Sequence, residues 1–291
     1  MTAKKPLSRS RRRFLKTMAV GAVAGIATPT YAHEIEPEHL VLTHRDVVLP
    51  DWPAHVGDLR VGHLGDFHCD TDRAAARTAR AAKMLLDQKP DVVFLTGDYI
   101  TYDPDTPGEA DFARQAAACA EALAPLKDVP RGVFAVMGNH DQTRTMYGTV
   151  YAPLHAAGFH VLINQSVPLP GAEGIWLVGL GSRSLNTHDP AKALANVPPG
   201  TTRLLLVHEP DYADESPAGF LFQVSGHSHA GQVRVPGLPP IYCPRFGRKY
   251  PEGLQHTLTH PVYTTRGVGM MGPQVRFCCP PEVTLLTLRQ L

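Results

Sequence analysis

Apolar runs of four to six residues recur along the chain, and most stop abruptly at glycine or a polar residue. "DVVFLTGD" and "GVFAVMGNHD" are apolar at consecutive rather than alternate positions, which predicts strands covered on both faces. "LVLTHRDVVLP" and "LRVGHLGDFH", the latter running from Leu59 into Asp66 and His68, predict two further strands. Between them lie stretches with helical spacing. "TDRAAARTARAAKMLLDQKP" predicts an Ala-rich helix capped by Thr71 or Asp72 and stopped before Pro90. "GEADFARQAAACAEALAPL" predicts a second helix, and "TRTMYGTVYAPLHAAG" a weaker one, interrupted by Gly148 and Pro153. The second half is richer in strands: "HVLIN", "GIWLVGLG", "TRLLLVHEP", "LFQVSGH", "PVYTTRG" and "VTLLTL". Strand, polar loop and helix, repeated and then followed by a strand-rich half, predict an α/β fold of two packed sheets flanked by helices. The Pro- and Gly-rich connection from Pro236 to Thr259 carries Arg245, Arg248 and Lys249, and its length predicts a functional loop.

The chain has 291 residues, 43% of them hydrophobic, enough for one substantial core. Its formal charge of +1 hides an asymmetry. Residues 1–32 hold seven Lys/Arg and no acid; the remainder holds 21 basic and 27 acidic residues, a net of −6. A mildly acidic body argues against nonspecific nucleic-acid binding, and no specific nucleic-acid partner is expected. The basic start is followed by an uncharged, fairly apolar run from Thr17 to Ala32, the arrangement of an export signal. Within it "SRRRFLK", Ser10 to Lys16, resembles the twin-arginine signal, with Arg11 and Arg12 as its pair. That resemblance implies the twin-arginine export machinery as a partner. It also implies delivery across the cytoplasmic membrane to the periplasm or cell-envelope space, with peripheral membrane association left open. The expected organisation is a signal segment over 1–32 and a single domain over 33–291. Five cysteines, Cys69, Cys119, Cys243, Cys278 and Cys279, show no CxxC and no regular spacing. They are poor material for a disulfide framework, although one or two bridges stay open.

The chemistry lies where the strands stop. Asp66 and His68 end the second strand, Asp98 closes "VVFLTGD", and Asn139 and His140 close "VFAVMGNHD". His208 closes "TRLLLVH", and His227 and His229 finish "VSGHSH". Five strands each deliver Asp, Asn or His at the C-terminal edge, where α/β sheets hold ligands. Singly, each residue has an ordinary reading: a helix cap for Asp66, a turn former for Asp98, a strand-end histidine for His208. Together they would be costly to bury without a cation. Oxygen and imidazole donors in one set suit two divalent ions of the Mn, Fe or Zn kind better than Mg or Ca. Without clustered cysteines a thiolate zinc site is disfavoured. Asp98, between the other groups in chain order, is the expected bridge. Two ions ~3.5–4 Å apart can activate a shared water and clamp phosphoryl oxygens, which is what phosphoester hydrolysis needs.

The elements "DFH", "GD", "GNHD", "VHEPD" and "GHSHAGQ", in this order, resemble the calcineurin-like metallophosphoesterase superfamily. The final motif and the ending "TTRGVGMMGPQVRFCCPPEVTLLTL" are similar to its bacterial exported or membrane-associated branch, and the match runs from Leu40 to Leu288. The resemblance implies two mixed β-sheets sandwiched between helices. It implies one metal held by Asp66, His68, Asp98 and His229, and another by Asp98, Asn139, His208 and His227. Asp98, Asn139 and His140 form the implied catalytic set, with His140 meeting the phosphate and protonating the leaving oxygen after attack by a metal-bridging hydroxide. The implied substrate is a small or lipid-linked phosphoester, with phosphodiester or pyrophosphate bonds favoured over monoesters. A non-hydrolytic metal-dependent binding or scaffold protein and an amidase-type dinuclear hydrolase are the rival readings. The chain departs from the pattern at Thr101, where many relatives carry an acid that orients the catalytic histidine. Either Thr101 itself, Asp103 or Asp141 replaces it, or proton donation is weak. Cys69 is expected to be a buried small side chain or a substrate-facing thiol near the mouth of the site.

Overall fold

Two six-stranded mixed sheets lie face to face in the computed structural model, which describes residues 28–102, 108–142 and 147–291. The first sheet contains β1 (Val41–Val48), β2 (Leu59–Leu64), β3 (Val92–Leu95), β4 (Val133–Ala135), β5 (His160–Val161) and β12 (Glu282–Arg289). Its order is β1-β12-β2-β3-β4-β5, with β2 to β5 parallel and β12 antiparallel to β2. The second contains β6 (Gln165–Pro168), β7 (Ile175–Gly179), β8 (Thr202–Leu206), β9 (Phe222–Ser225), β10 (Gly253–Gln255) and β11 (Val262–Thr264). Its order is β10-β11-β9-β8-β7-β6, and β7, β8, β9 and β11 run parallel.

The consecutive apolar runs are explained by what each face meets. Val61, Phe94, Phe134, Leu177, Leu204, Phe222 and Leu286 fill the space between the sheets. Val93, Leu95 and Val133 face the other way, against α1 (Asp72–Leu86), α2 (Glu109–Leu123) and α3 (Tyr147–Ala156). On the outer side of the second sheet, Leu205 and Val207 pack with Ala193 of α4 (Pro190–Leu194) and Tyr212. Burial on both faces removes the alternation that a half-exposed strand would show. The expected α/β sandwich flanked by helices is therefore the fold. Thr71 caps α1, its hydroxyl accepting from the Ala74 N–H at 3.2 Å. The stretch expected to be a long loop contains β10, antiparallel to β11.

The export-signal residues Arg11 and Arg12 lie outside the described residues, as does Asp103. Ala32 is buried, and its carbonyl accepts from Arg276 N at 2.9 Å. All five cysteines are free, so neither of the bridges left open by the sequence is formed.

Candidate metal centre

β2, β3 and β4 of the first sheet and β8 and β9 of the second end at one common edge. Beyond it stand Asp66, His68, Asp98, Asn139, His140, His208, His227 and His229. The parallel pairing of β2 with β3 continues past the strands: Asp66 N donates to Gly97 O, and the N–H groups of Phe67 and His68 donate to Asp98 O. Five of these residues, Asp66, His68, Asp98, His227 and His229, have φ between 45° and 71°, a region L side chains rarely enter. Such strain persists where the surroundings over-determine it and gathers at functional sites. Here it turns the side chains inward at the strand ends. Gly226 allows the sheets to close, because a Cβ there would collide with the Asp66 carboxylate.

Two triads result: Asp66, His68 and His229, and Asp98, His208 and His227, all buried. Asp98 joins them. Its Oδ2 lies 3.1 Å from His208 Nε2 and 3.6 Å from His68 Nε2, while its Oδ1 accepts from His140 N at 3.0 Å. The imidazole partners reveal which nitrogens are bare. His208 donates Nδ1–H to Thr96 O at 2.6 Å, and His227 donates Nε2–H to Arg245 O at 2.8 Å. In their neutral forms, this leaves His208 Nε2 and His227 Nδ1 as lone pairs facing each other across 3.2 Å. His68 Nε2 and His229 Nε2 also face each other at 3.2 Å. Asp66 Oδ2, Asn139 Oδ1 and His229 Nδ1 are buried without a partner among the described residues.

Lone pairs at that separation repel unless a proton or a cation lies between them. Metal–nitrogen bonds of ~2.0–2.1 Å at a tetrahedral angle put two donors roughly 3.3 Å apart, so the residues fit a divalent cation in each triad. Oriented imidazoles donating their outer N–H to backbone carbonyls are the usual support of such ligands. The charge balance of the bare protein points the same way. Burial pushes the Asp66 pKa up to about 7, with Asp98 adding to the shift. Burial pushes His68 down to about 3. Burial would lower His208, but Asp98 beside it turns the shift upward; burial would raise Asp98, yet His208 and then His140 hold it well below the carboxylate range.

Asn139 and His140 line the cleft over the triads. Among the described residues, neither Thr101 nor Asp141, two of the three residues expected to orient it, holds His140. Its Nδ1 lies 3.0 Å from Tyr102 N and 3.1 Å from Tyr102 O, so backbone atoms hold the ring. Thr101 instead faces His68 Nδ1 at 3.1 Å. Asp141 is spent elsewhere: its carboxylate accepts from the N–H groups of Gly138, Asp98 and Tyr99 at 2.7–2.9 Å and ties two ligand loops together. Cys69 is the buried small side chain, its Sγ 3.5 Å from Thr78 Oγ1. Of the loop cations, Lys249 pairs with Asp214, Arg248 donates Nε–H to Cys243 O, and Arg245 stacks on Phe246. Sequence reading gave Arg276 no role, although it is wholly buried beneath the Asp66 turn.

A model of the calcineurin-like phosphoesterase family matches residues 59–231. The chain is 32% identical to YkuE, an uncharacterised metallophosphoesterase of Bacillus subtilis, over 96% of this chain and 98% of that one. It is 32% identical to the phosphodiesterase YaeI of Escherichia coli, over 96% and 99%. With LpxG of Chlamydia muridarum, a UDP-2,3-diacylglucosamine pyrophosphatase, identity is 26% over 90% and 93%.

Proposed function

The chain belongs to the calcineurin-like phosphoesterase family, and from that premise we propose that it cleaves phosphodiester or pyrophosphate bonds outside the cytoplasmic membrane. Metal-dependent phosphoester hydrolysis at a dinuclear centre follows from the family and the paired triads. The observation that carries it is the single Asp98 carboxylate touching imidazoles of both triads at the floor of an open cleft. The choice of bond is supported by the phosphodiesterase and pyrophosphatase relatives.

Asp66, His68, Asp98 and His229 would hold one cation, and Asp98, Asn139, His208 and His227 the other. When bound, the pair supplies an activated water and neutralises charge on the phosphoryl oxygens. The chain's own residues do the rest. Asp98 Oδ1 fixes the His140 backbone beside the centre. Tyr102 clamps Nδ1 of His140, which leaves the other ring nitrogen for the cleft and for the departing oxygen. Asn139 offers the oxygen that has no partner among the described residues.

Metal-replete protein is expected to turn over bis-p-nitrophenyl phosphate with a higher kcat/KM than p-nitrophenyl phosphate. His140→Ala should cost about a hundredfold or more in kcat while metal content holds. Parallel loss of metal and activity would remove His140 from proton donation, and a monoester preference would shift the reading to a phosphomonoesterase. Export rests on the "SRRRFLK" stretch. Replacing Arg11 and Arg12 by lysine should retain the protein in the cytoplasm, and undiminished export would refute the twin-arginine route.

A further inference from the structure

The cleft over the triads has a volume of about 530 Å³, and its floor and wall differ in chemistry. Asp98, Asn139, His140, His227 and His229 make the floor. The wall beside them is Val233, Ile241, Tyr242, Pro244, Met271 and Pro273. Ile241 and Tyr242 are 69% and 68% exposed, and Leu238 of the same loop is 58% exposed. An apolar edge left in water beside a polar centre marks a binding surface.

Two residues next to the metal-binding motif build this wall. Gly231 follows His229 by two positions and has a φ of 80°; a Cβ there would come within 2.6 Å of Pro240 Cβ and 2.7 Å of Tyr242 O. Glycine is what lets residues 240–242 lie against the ligand turn. Gln232 fastens the opposite segment. Its Nε2 donates to Met271 O at 3.2 Å and Pro273 O at 2.8 Å, and its Oε1 accepts from Met271 N at 3.0 Å. The "GQ" that closes "GHSHAGQ" therefore ties both apolar segments to the rim of the centre. Wall and floor line one cleft, so a molecule held on the floor reaches the wall.

We infer that the substrate is an amphiphilic phosphoester, its apolar chain or ring lying along Val233, Ile241, Tyr242 and Met271 while its phosphoryl group sits over Asp98. This rests on the phosphoesterase reading above.

The test is a series of alkyl p-nitrophenyl phosphodiesters, methyl to octyl, below their micellar concentrations, with the metal-replete full chain. The expected result is a rise in kcat/KM of about tenfold or more from methyl to octyl. Ile241→Ser combined with Tyr242→Ser should bring the octyl-to-methyl ratio toward one. An active enzyme indifferent to chain length overturns the inference and leaves phosphoester hydrolysis intact. If no diester is cleaved, the phosphodiesterase reading fails. Binding of non-hydrolysable alkylphosphonates then decides the subsite: affinity that grows with chain length in the wild type but not the double variant supports it, and a flat series overturns it. A double variant that loses binding to phosphatidylcholine vesicles, or loses a dimer in sedimentation, while keeping the full octyl-to-methyl ratio assigns the edge to a membrane or a second copy and overturns the inference.

Discussion

Thr101 puts a hydroxyl on the outer nitrogen of His68, 3.1 Å from Nδ1, and its own O–H points to Asp70 Oδ2 at a long 3.5 Å. With that hydrogen directed at Asp70, Thr101 accepts from His68 Nδ1–H and leaves Nε2 bare toward His229 and Asp98. Outer partners of this kind are worth 10- to 100-fold in metal affinity. Thr101→Val is therefore expected to weaken metal binding about tenfold in a chelator competition, with Thr101→Ser restoring it. At saturating metal the alkaline limb of the rate profile, where a proton donor is lost, should stay in place. A displaced limb with unchanged affinity would mean that Thr101 serves His140 after all. The ligand side chains were legible in the sequence because each ends an apolar run at a strand's C-terminal edge. Tyr102 and Thr96 were not, because they act through main-chain atoms that every residue carries.

The turn after β11 shows the same limit for a whole element. It carries no ligand, yet Val268 N donates to Gly65 O and Gly269 N to Asp66 O, so it braces the Asp66 loop. Arg276 holds the turn from behind. Its guanidinium donates to the carbonyls of Arg266, Gly267, Gly269 and Cys279 at 2.6–3.2 Å, fully buried and without an ion pair among the described residues. Arg276→Met would strip four carbonyls of a donor and should cost about 3 kcal/mol of stability. Arg276→Lys should recover only part, since an ammonium cannot reproduce the planar fork. Metal titration should show the Asp66 triad weakened more than the Asp98 triad. A lowered melting temperature with both affinities intact would leave Arg276 a purely structural clamp. Nothing in a Gly- and Pro-rich loop sequence says which carbonyls a guanidinium will find. Strands such as β6, of four residues, and β10, of three, were equally hard to read, because neighbouring strands define them more than their own patterns do. β2, β3 and β8, with long apolar runs, and α1, with its cap, stood out.

Across the molecule, each triad draws on both sheets. Asp66 and His68 follow β2 while His229 follows β9; Asp98 follows β3 while His208 and His227 follow β8 and β9. A cation in either triad therefore staples one sheet to the other, at the edge where the apolar filling between them gives way to charge. Without cations the same edge holds a carboxyl whose pKa burial has pushed up to about 7 and imidazole nitrogens facing each other at 3.2 Å. Metal binding and folding are then one equilibrium. At free metal 100-fold above Kd each site adds about 2.7 kcal/mol, so removing both ions should lower the melting temperature by roughly 10 °C in a chain of this size. Asp98→Asn bears on both triads at once, so its melting temperature in saturating metal should resemble that of the chelated wild type, and added metal should rescue only the latter. Calorimetry decides between the two roles of the centre. A wild type that melts at the same temperature with and without chelator would have sheets that hold their own edges, and Asp98 would then matter for chemistry alone.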